Sequence, residues 1–296
     1  MRNPGRTHRA MARMAALAVV ALLPAAVARA QAPSLPQVSA SSPLVIGEQF
    51  MLPSAVLHET RRINVYLPAG YAESAARGLP VLYMPDGGLQ EEFLHVAGLV
   101  QVLVGNGTMR PFILVGIENT ERRRDLTGPT TREEDRKIAP RVGGSAAFRT
   151  FLRTELMPAV KARYRTTSET GIVGESLAGL FVVETFVHDP TLFDHYIALD
   201  PSLWWNGGTL VTEAAARLAQ HPPIGKSIFL SHSAEPTIAG PTQRLAGILA
   251  AVAAPAFSAV YAPMPEETHA TIYHPAALRA FRLVFAPAGP AVPPTP

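Results

Sequence analysis

The chain has no cysteine among its 296 residues, so neither a disulfide nor a lipid attached through a thiol is available, and the fold must hold by packing alone. It also lacks an apolar run of the roughly 20 residues needed to cross a bilayer. The apolar stretch from Met14 to Val27 counts fourteen, and no second one follows. Acidic residues are missing from the first thirty positions, where arginines at 2, 6, 9 and 13 precede that stretch and Ala28-Arg29-Ala30 follows it. This order reads as a secretory signal peptide over residues 1–30, cleaved after Ala30. The mature chain is then expected in the periplasm or outside the cell, with no stable membrane insertion.

Basic excess is another apparent feature that disappears with that segment. The whole chain carries a formal charge of +3, but the first thirty residues hold five arginines, and removing them leaves 21 Lys+Arg against 23 Asp+Glu. The case for a nucleic-acid partner goes with them. What remains is 48% hydrophobic and 17% charged overall, enough apolar material for a sizeable core. Pro-, Ser- and Ala-rich "QAPSLPQVSASSP" marks a flexible lead-in over 31–44, and "APAGPAVPPTP" an unstructured tail over 286–296. One folded domain is expected between them, over 45–285.

Within that domain, short β-rich runs alternate with helical patterns. "INVYLP", "PVLYMPDGG", "FILVGIEN", "GIVGES", "YIALD", "SIFLSHS" and "FSAVYAPM" read as strands, and "AAFRTFLRTELMPAVKARY", "LAGLFVVETFVHD", "LVTEAAARLAQH" and "TQRLAGILAAVA" as helices. Near-continuous apolar strands separated by helices imply an α/β fold, with a mostly parallel sheet covered on both faces. "FMLPSAVLHETRRINVYLP" adds an antiparallel start.

Ser176, in "GIVGESLAGL", sits where the strand pattern stops and the helical one begins. Small residues two positions either side, Gly174 and Ala178, fit a sharp strand-to-helix elbow that lifts a nucleophilic hydroxyl above the sheet. The same serine could instead serve as an ordinary helix N-cap. As a nucleophile it would find oxyanion donors in the Leu177 N–H and in the loop after "PVLYMPDGG", represented by Gly87. A serine needs a base, and His269, in the loop ahead of the final helix, is the candidate over His274, which precedes Pro275. For the acid that orients the imidazole, the loop after the penultimate strand offers Glu235, with Asp200 or no acid as alternatives. No histidine spacing suggests a metal centre, and no cofactor is expected.

Six blocks together, "LPVLYMPDGG", "VGIENTERRRDLT", "GGSAAFRTFLRTELMPAV", "GIVGESLAGLF", "LFDHYIALDPSLWWN" and "EETHATIYHPA", resemble the esterase D-like and trilactone-siderophore esterase branch of the α/β-hydrolase superfamily. The resemblance implies an α/β-hydrolase fold and a serine hydrolase, with Ser176 matching the family's nucleophile and His269 its base. It also implies that siderophore-cleaving members tolerate an imperfect or missing acid. Trp204 and Trp205 fall just past a strand's carboxyl end, where such sheets bind ligands, and are candidate substrate contacts. Arg122, Arg123 and Arg124 form either an anion-binding group or a solvated loop. The expected function is exported hydrolysis of small-molecule carboxylic esters, of siderophore or short acyl type. Acyl transfer through the same acyl-enzyme and a non-catalytic binding homologue are the alternatives.

Overall fold

The structure, a computed structural model, describes residues 40–73 and 78–287. The expected signal peptide, most of the lead-in and most of the tail lie outside the described residues. Residues 40–44 are exposed and carry no helix or strand.

From Val45 onward, the chain opens on an antiparallel pair, β1 (Glu48–Ser54) and β2 (Glu59–Tyr66). Parallel strands follow: β3 (Leu79–Pro85), β4 (Ile113–Ile117), β5 (Thr166–Glu175), β6 (His195–Leu199), β7 (Ser227–Ser231) and β8 (Ser258–Tyr261). Among the described residues, these eight form one sheet in the order β1-β2-β4-β3-β5-β6-β7-β8. β2 meets β4 antiparallel, and every pairing from β4 to β8 is parallel. β3 and β4 are buried along their whole length, as strands covered on both faces must be.

The strand period of two separates two cores. Val81, Tyr83, Ile172, Tyr196, Ala198, Ile228 and Leu230 point to one face, and Leu82, Met84, Val173, Ile197, Leu199 and Phe229 to the other. On the second face lie α1 (Phe93–Gly105) and α9 (Tyr273–Val284), through Val96, Val100, Leu103, Ala277 and Phe281. The first face is covered by α4 (Ser145–Phe151), α5 (Met157–Arg163), α6 (Leu177–His188), α7 (Thr209–Gln220) and α8 (Pro236–Ala250). Two one-turn helices, α2 (Arg122–Asp125) and α3 (Glu133–Arg136), lie in the loop after β4.

The single helix expected over "AAFRTFLRTELMPAVKARY" is interrupted. A π turn at Leu152–Leu156 separates α4 from α5, just before Pro158, which has no N–H to donate and whose ring would strike the carbonyl four residues back. α1, not anticipated from the pattern, is a full helix, and β5 begins at Thr166, five residues before the expected Gly171.

This topology fixes where a site can form. The chain leaves β3 for β4 on one side and returns to β5 on the other, so the loops at the carboxyl ends of β3 and β5 diverge and open a crevice. α6 starts in that crevice and is buried along its length from Leu177 to Val187, which anchors its first turn rigidly. Phe186 is one of the anchors, with no exposure and an edge-on contact to Tyr196 at 5.1 Å. Phe186→Ala is expected to cost about 3–5 kcal/mol through lost burial and the cavity left behind. A urea titration would register this as a lower midpoint at unchanged slope.

Candidate active site

Ser176 closes β5 and precedes α6 with φ 60° and ψ −120°. A non-glycine residue at such a positive φ carries strain of about 1–3 kcal/mol. The elbow is held by backbone bonds on each side: Ser176 N–H donates to Leu199 O at 3.1 Å, and Ser202 N–H and Leu180 N–H donate to Ser176 O at 3.0 and 2.9 Å. A β-carbon on Gly174 would stand 2.7 Å from that of Ala178, so the methyl at the motif's last position is accommodated only because the first is glycine. The Ser176 side chain makes no capping bond to its helix.

Its hydroxyl meets an imidazole instead. Ser176 Oγ lies 3.0 Å from His269 Nε2, and His269 Nδ1 lies 2.6 Å from Asp200 Oδ2. A carboxylate can only accept, so Nδ1 carries the proton, and Nε2 is left to accept from the serine. Asp200 follows β6 at φ 45°, is fully buried, and takes two further bonds from Ser233, N–H to Oδ1 at 2.6 Å and Oγ–H to Oδ2 at 2.9 Å. The hydrogen bond to Asp200 holds the His269 pKa above its usual value, against partial burial.

Glu235 is therefore not the carboxylate that meets His269. It caps α8, accepting from Thr237 N–H and, at 3.0 Å, from Thr237 Oγ. The reason lies in the sheet: β6 is β5's immediate neighbour, whereas β7, which leads to Glu235, is one strand further out. His274 pairs with His95, ring nitrogen to ring nitrogen at 3.0 Å.

The two amides expected as oxyanion donors divide in the same way. Leu177 N–H stands in the first turn of α6, where no intrahelical acceptor exists, and it donates to none of the described residues. Gly87 N–H donates to Ile117 O at 3.0 Å, so it is not free for a ligand. Its need for glycine is a close approach to β4, where a β-carbon would come within 2.3 Å of Gly116 Cα. The next amide, Gly88, donates to Glu91 Oε2 at 2.7 Å.

The tryptophans also separate. Trp205 is buried and donates from its indole to Gly128 O at 2.9 Å, which makes it part of the core rather than a ligand surface. Trp204 is 37% exposed and lines a hollow of about 470 Å³ with Arg132, Ile138 and Thr237. It lies two residues beyond Ser202, whose Oγ is 3.5 Å from Ser176 Oγ. Of the three arginines, Arg122 grips Asp86 with two bonds of 2.7 Å, and Arg124 ties Glu59 to Asp125. Arg123 is exposed and donates to Ile138 O.

Two features went unread in the sequence. Asp86, at φ 55° after β3, is clamped by Arg122 and by Asn119 at 2.6 Å. Glu175, next to Ser176, lies with Oε1 3.3 Å from His269 Nδ1, and burial pushes its pKa up to about 8. Glu175, Asp200 and His269 each offer a ligand atom within 4.8 Å of the others, but a cation there would have to displace the Asp200–His269 bond.

Comparison with known proteins adds to this geometry. Residues 54–245 match the family model described as "Putative esterase". An IroE-like serine hydrolase from Shewanella oneidensis superposes with a TM-score of 0.72 at 30% identity, over 81% of this chain and 80% of that one. A ferri-bacillibactin esterase of Bacillus subtilis is 29% identical over 50% of this chain and 56% of its own length. A siderophore triacetylfusarinine C esterase of Aspergillus fumigatus is 32% identical over 59% of this chain and 62% of its own. The chain thus spans a little over half of each of these curated relatives. With an elbow serine, a mostly parallel sheet and a family match over most of the folded unit, the chain belongs to the esterase family of the α/β-hydrolase superfamily.

Proposed function

We propose that the protein is an exported serine esterase that hydrolyses small carboxylic esters, of siderophore or short acyl type, through Ser176, His269 and Asp200. The observation that carries this reading is the single imidazole bonded on one side to the elbow serine and on the other to a buried carboxylate.

In this mechanism, Ser176 Oγ attacks the ester carbonyl while His269 Nε2 takes the hydroxyl proton. Asp200 faces the imidazolium that forms and keeps Nδ1 protonated. Leu177 N–H, at the positive end of the α6 dipole, receives the oxyanion. His269 then returns the proton to the leaving alkoxide, which departs as the alcohol. Water, deprotonated by the same nitrogen, adds to the acyl-enzyme and releases the carboxylic acid and Ser176. The exposed face of Trp204 offers an aromatic or acyl group a flat apolar contact.

Siderophore esters are favoured because several relatives are named for them, and because the N-terminal thirty residues have the order of an export signal. A panel of trilactone and short-chain nitrophenyl esters tests the activity. Ser176→Ala and His269→Ala should each lower turnover by about 10⁶-fold on any ester the wild type cleaves, and a fluorophosphonate should label Ser176 in the wild type. Equal rates in wild type and Ser176→Ala across the panel would remove the assignment.

The pH dependence follows from His269. Only the neutral ring can act as base, and Asp200 favours the charged ring, so activity is lost as pH falls through the raised pKa. The acid limb of kcat/KM should therefore have its midpoint above 6.5, the ordinary histidine value. In Asp200→Asn that midpoint should move down.

A further inference from the structure

The catalytic reading leaves one carboxyl at the site without a task. Glu175 is the residue immediately before the nucleophile, and its Oε1 is buried and has no hydrogen-bond partner. That same oxygen is 3.3 Å from His269 Nδ1, the nitrogen already donating to Asp200 at 2.6 Å. A buried carboxyl oxygen left unpartnered costs free energy, yet here it sits beside the one ring whose charge changes during turnover.

We propose that Glu175 is a second carboxyl partner of His269, held in reserve at the Nδ1 edge, a positioning residue that supports the imidazolium when Asp200 cannot. The proposal rests on the reading of Ser176 as nucleophile and His269 as base. In the resting enzyme, Asp200 takes the hydrogen bond from Nδ1 and Glu175 keeps its proton. Burial is the main cause; Asp200 after β6 and Asp86 after β3 add repulsion, while His269 and Arg122 of α2 oppose it. Tyr273, at the start of α9, has its phenol pKa raised by burial and by Asp86, Glu92 and Glu175. With Asp200 neutralised, one repulsion is lost, and Glu175 ionises at lower pH than before. Its carboxylate then accepts from Nδ1–H while Nε2 takes the serine proton. Glu175 has given its own proton to solvent on ionising, and the one proton moved in the attack passes from Ser176 Oγ to His269 Nε2, with Nδ1 keeping its own.

The test is a cycle of four full-length proteins, wild type, Glu175→Gln, Asp200→Asn and the double variant, assayed by kcat and KM on a short-chain nitrophenyl ester from pH 5 to 10. A triad with no reserve loses about 10⁴-fold when its acid becomes an amide. Asp200→Asn is expected to lose only about 10²–10³-fold in kcat with KM little changed, set against that same standard. Its residual activity should rise with an inflection below pH 8 as Glu175 ionises. Adding Glu175→Gln should remove the inflection and lower kcat by at least about tenfold more, the scale of one lost charge-assisted bond. Coincident profiles for Asp200→Asn and the double variant would overturn the proposal. Should Asp200→Asn fail to fold, Asp200→Ser takes its place in the cycle, with the same expected inflection and the same overturning result. Fluorophosphonate labelling of wild-type Ser176 keeps the two readings apart. Without labelling the hydrolase reading fails; with labelling and coincident profiles, only the role of Glu175 does.

Discussion

A serine at φ 60° between a strand and a helix can persist only if both neighbours are too well packed to relax it. Here β5 lies inside the sheet, and α6 is buried from Leu177 to Val187. The strain at Ser176, of order 1–3 kcal/mol, is small beside the burial of that helix. Three backbone bonds, to Leu199, Ser202 and Leu180, hold the elbow in this conformation. The consequences are geometric. The hydroxyl is withdrawn from its helix and turned to His269, the first-turn amide of Leu177 is left unspent, and Ser202 is drawn to 3.5 Å. Placement of the imidazole is then a matter of one loop returning from β8 to the start of α9 over the same sheet end.

Much of this arrangement can be read from the chain alone, and the parts that cannot have identifiable causes. Strand and helix alternation survives in any order of pairing, so the mostly parallel sheet was legible. Ser176 and His269 were legible because each has a local signature: small residues flanking a serine at a change of period, and a histidine in the last loop. Asp200 lost to Glu235 because chain order suggests the penultimate strand, whereas spatial order in the sheet makes β6 the neighbour of β5. One signal was present: "YIALDP" ends a wholly apolar strand on a lone acid. Gly87 looked like a free turn amide because its contact with Gly116 crosses to another strand and leaves no trace in local pattern. Trp205 and Trp204 are adjacent and chemically identical; only the tertiary fold sends one inward. α1 was missed because "FLHVAGLVQVLVG" is rich in valine and almost wholly apolar, so helical and strand periods are hard to tell apart.

The distribution of negative charge is the least visible part of the site and the part that sets its chemistry. Three carboxyls, Asp86, Glu175 and Asp200, gather at the carboxyl ends of β3, β5 and β6, and in a buried crevice they cannot all be ionised without compensation. Each is handled differently. Asp86 is matched by the guanidinium of Arg122. Asp200 is stabilised by the Ser233 hydroxyl and amide and by the imidazole. Glu175 has no such partner and keeps its proton, with a pKa of about 8. The ring thus meets one carboxyl that is hydrogen-bonded to it, Asp200, and one that burial holds protonated, Glu175. Arg122 bears on the surroundings of His269 through Asp86 and Glu175. It pairs with Asp86 and draws the Glu175 pKa down, and so opposes the burial that keeps Glu175 protonated beside His269. The arginine run, open in the sequence to reading as an anion-binding group or a solvated loop, is at Arg122 part of the charge balance around His269.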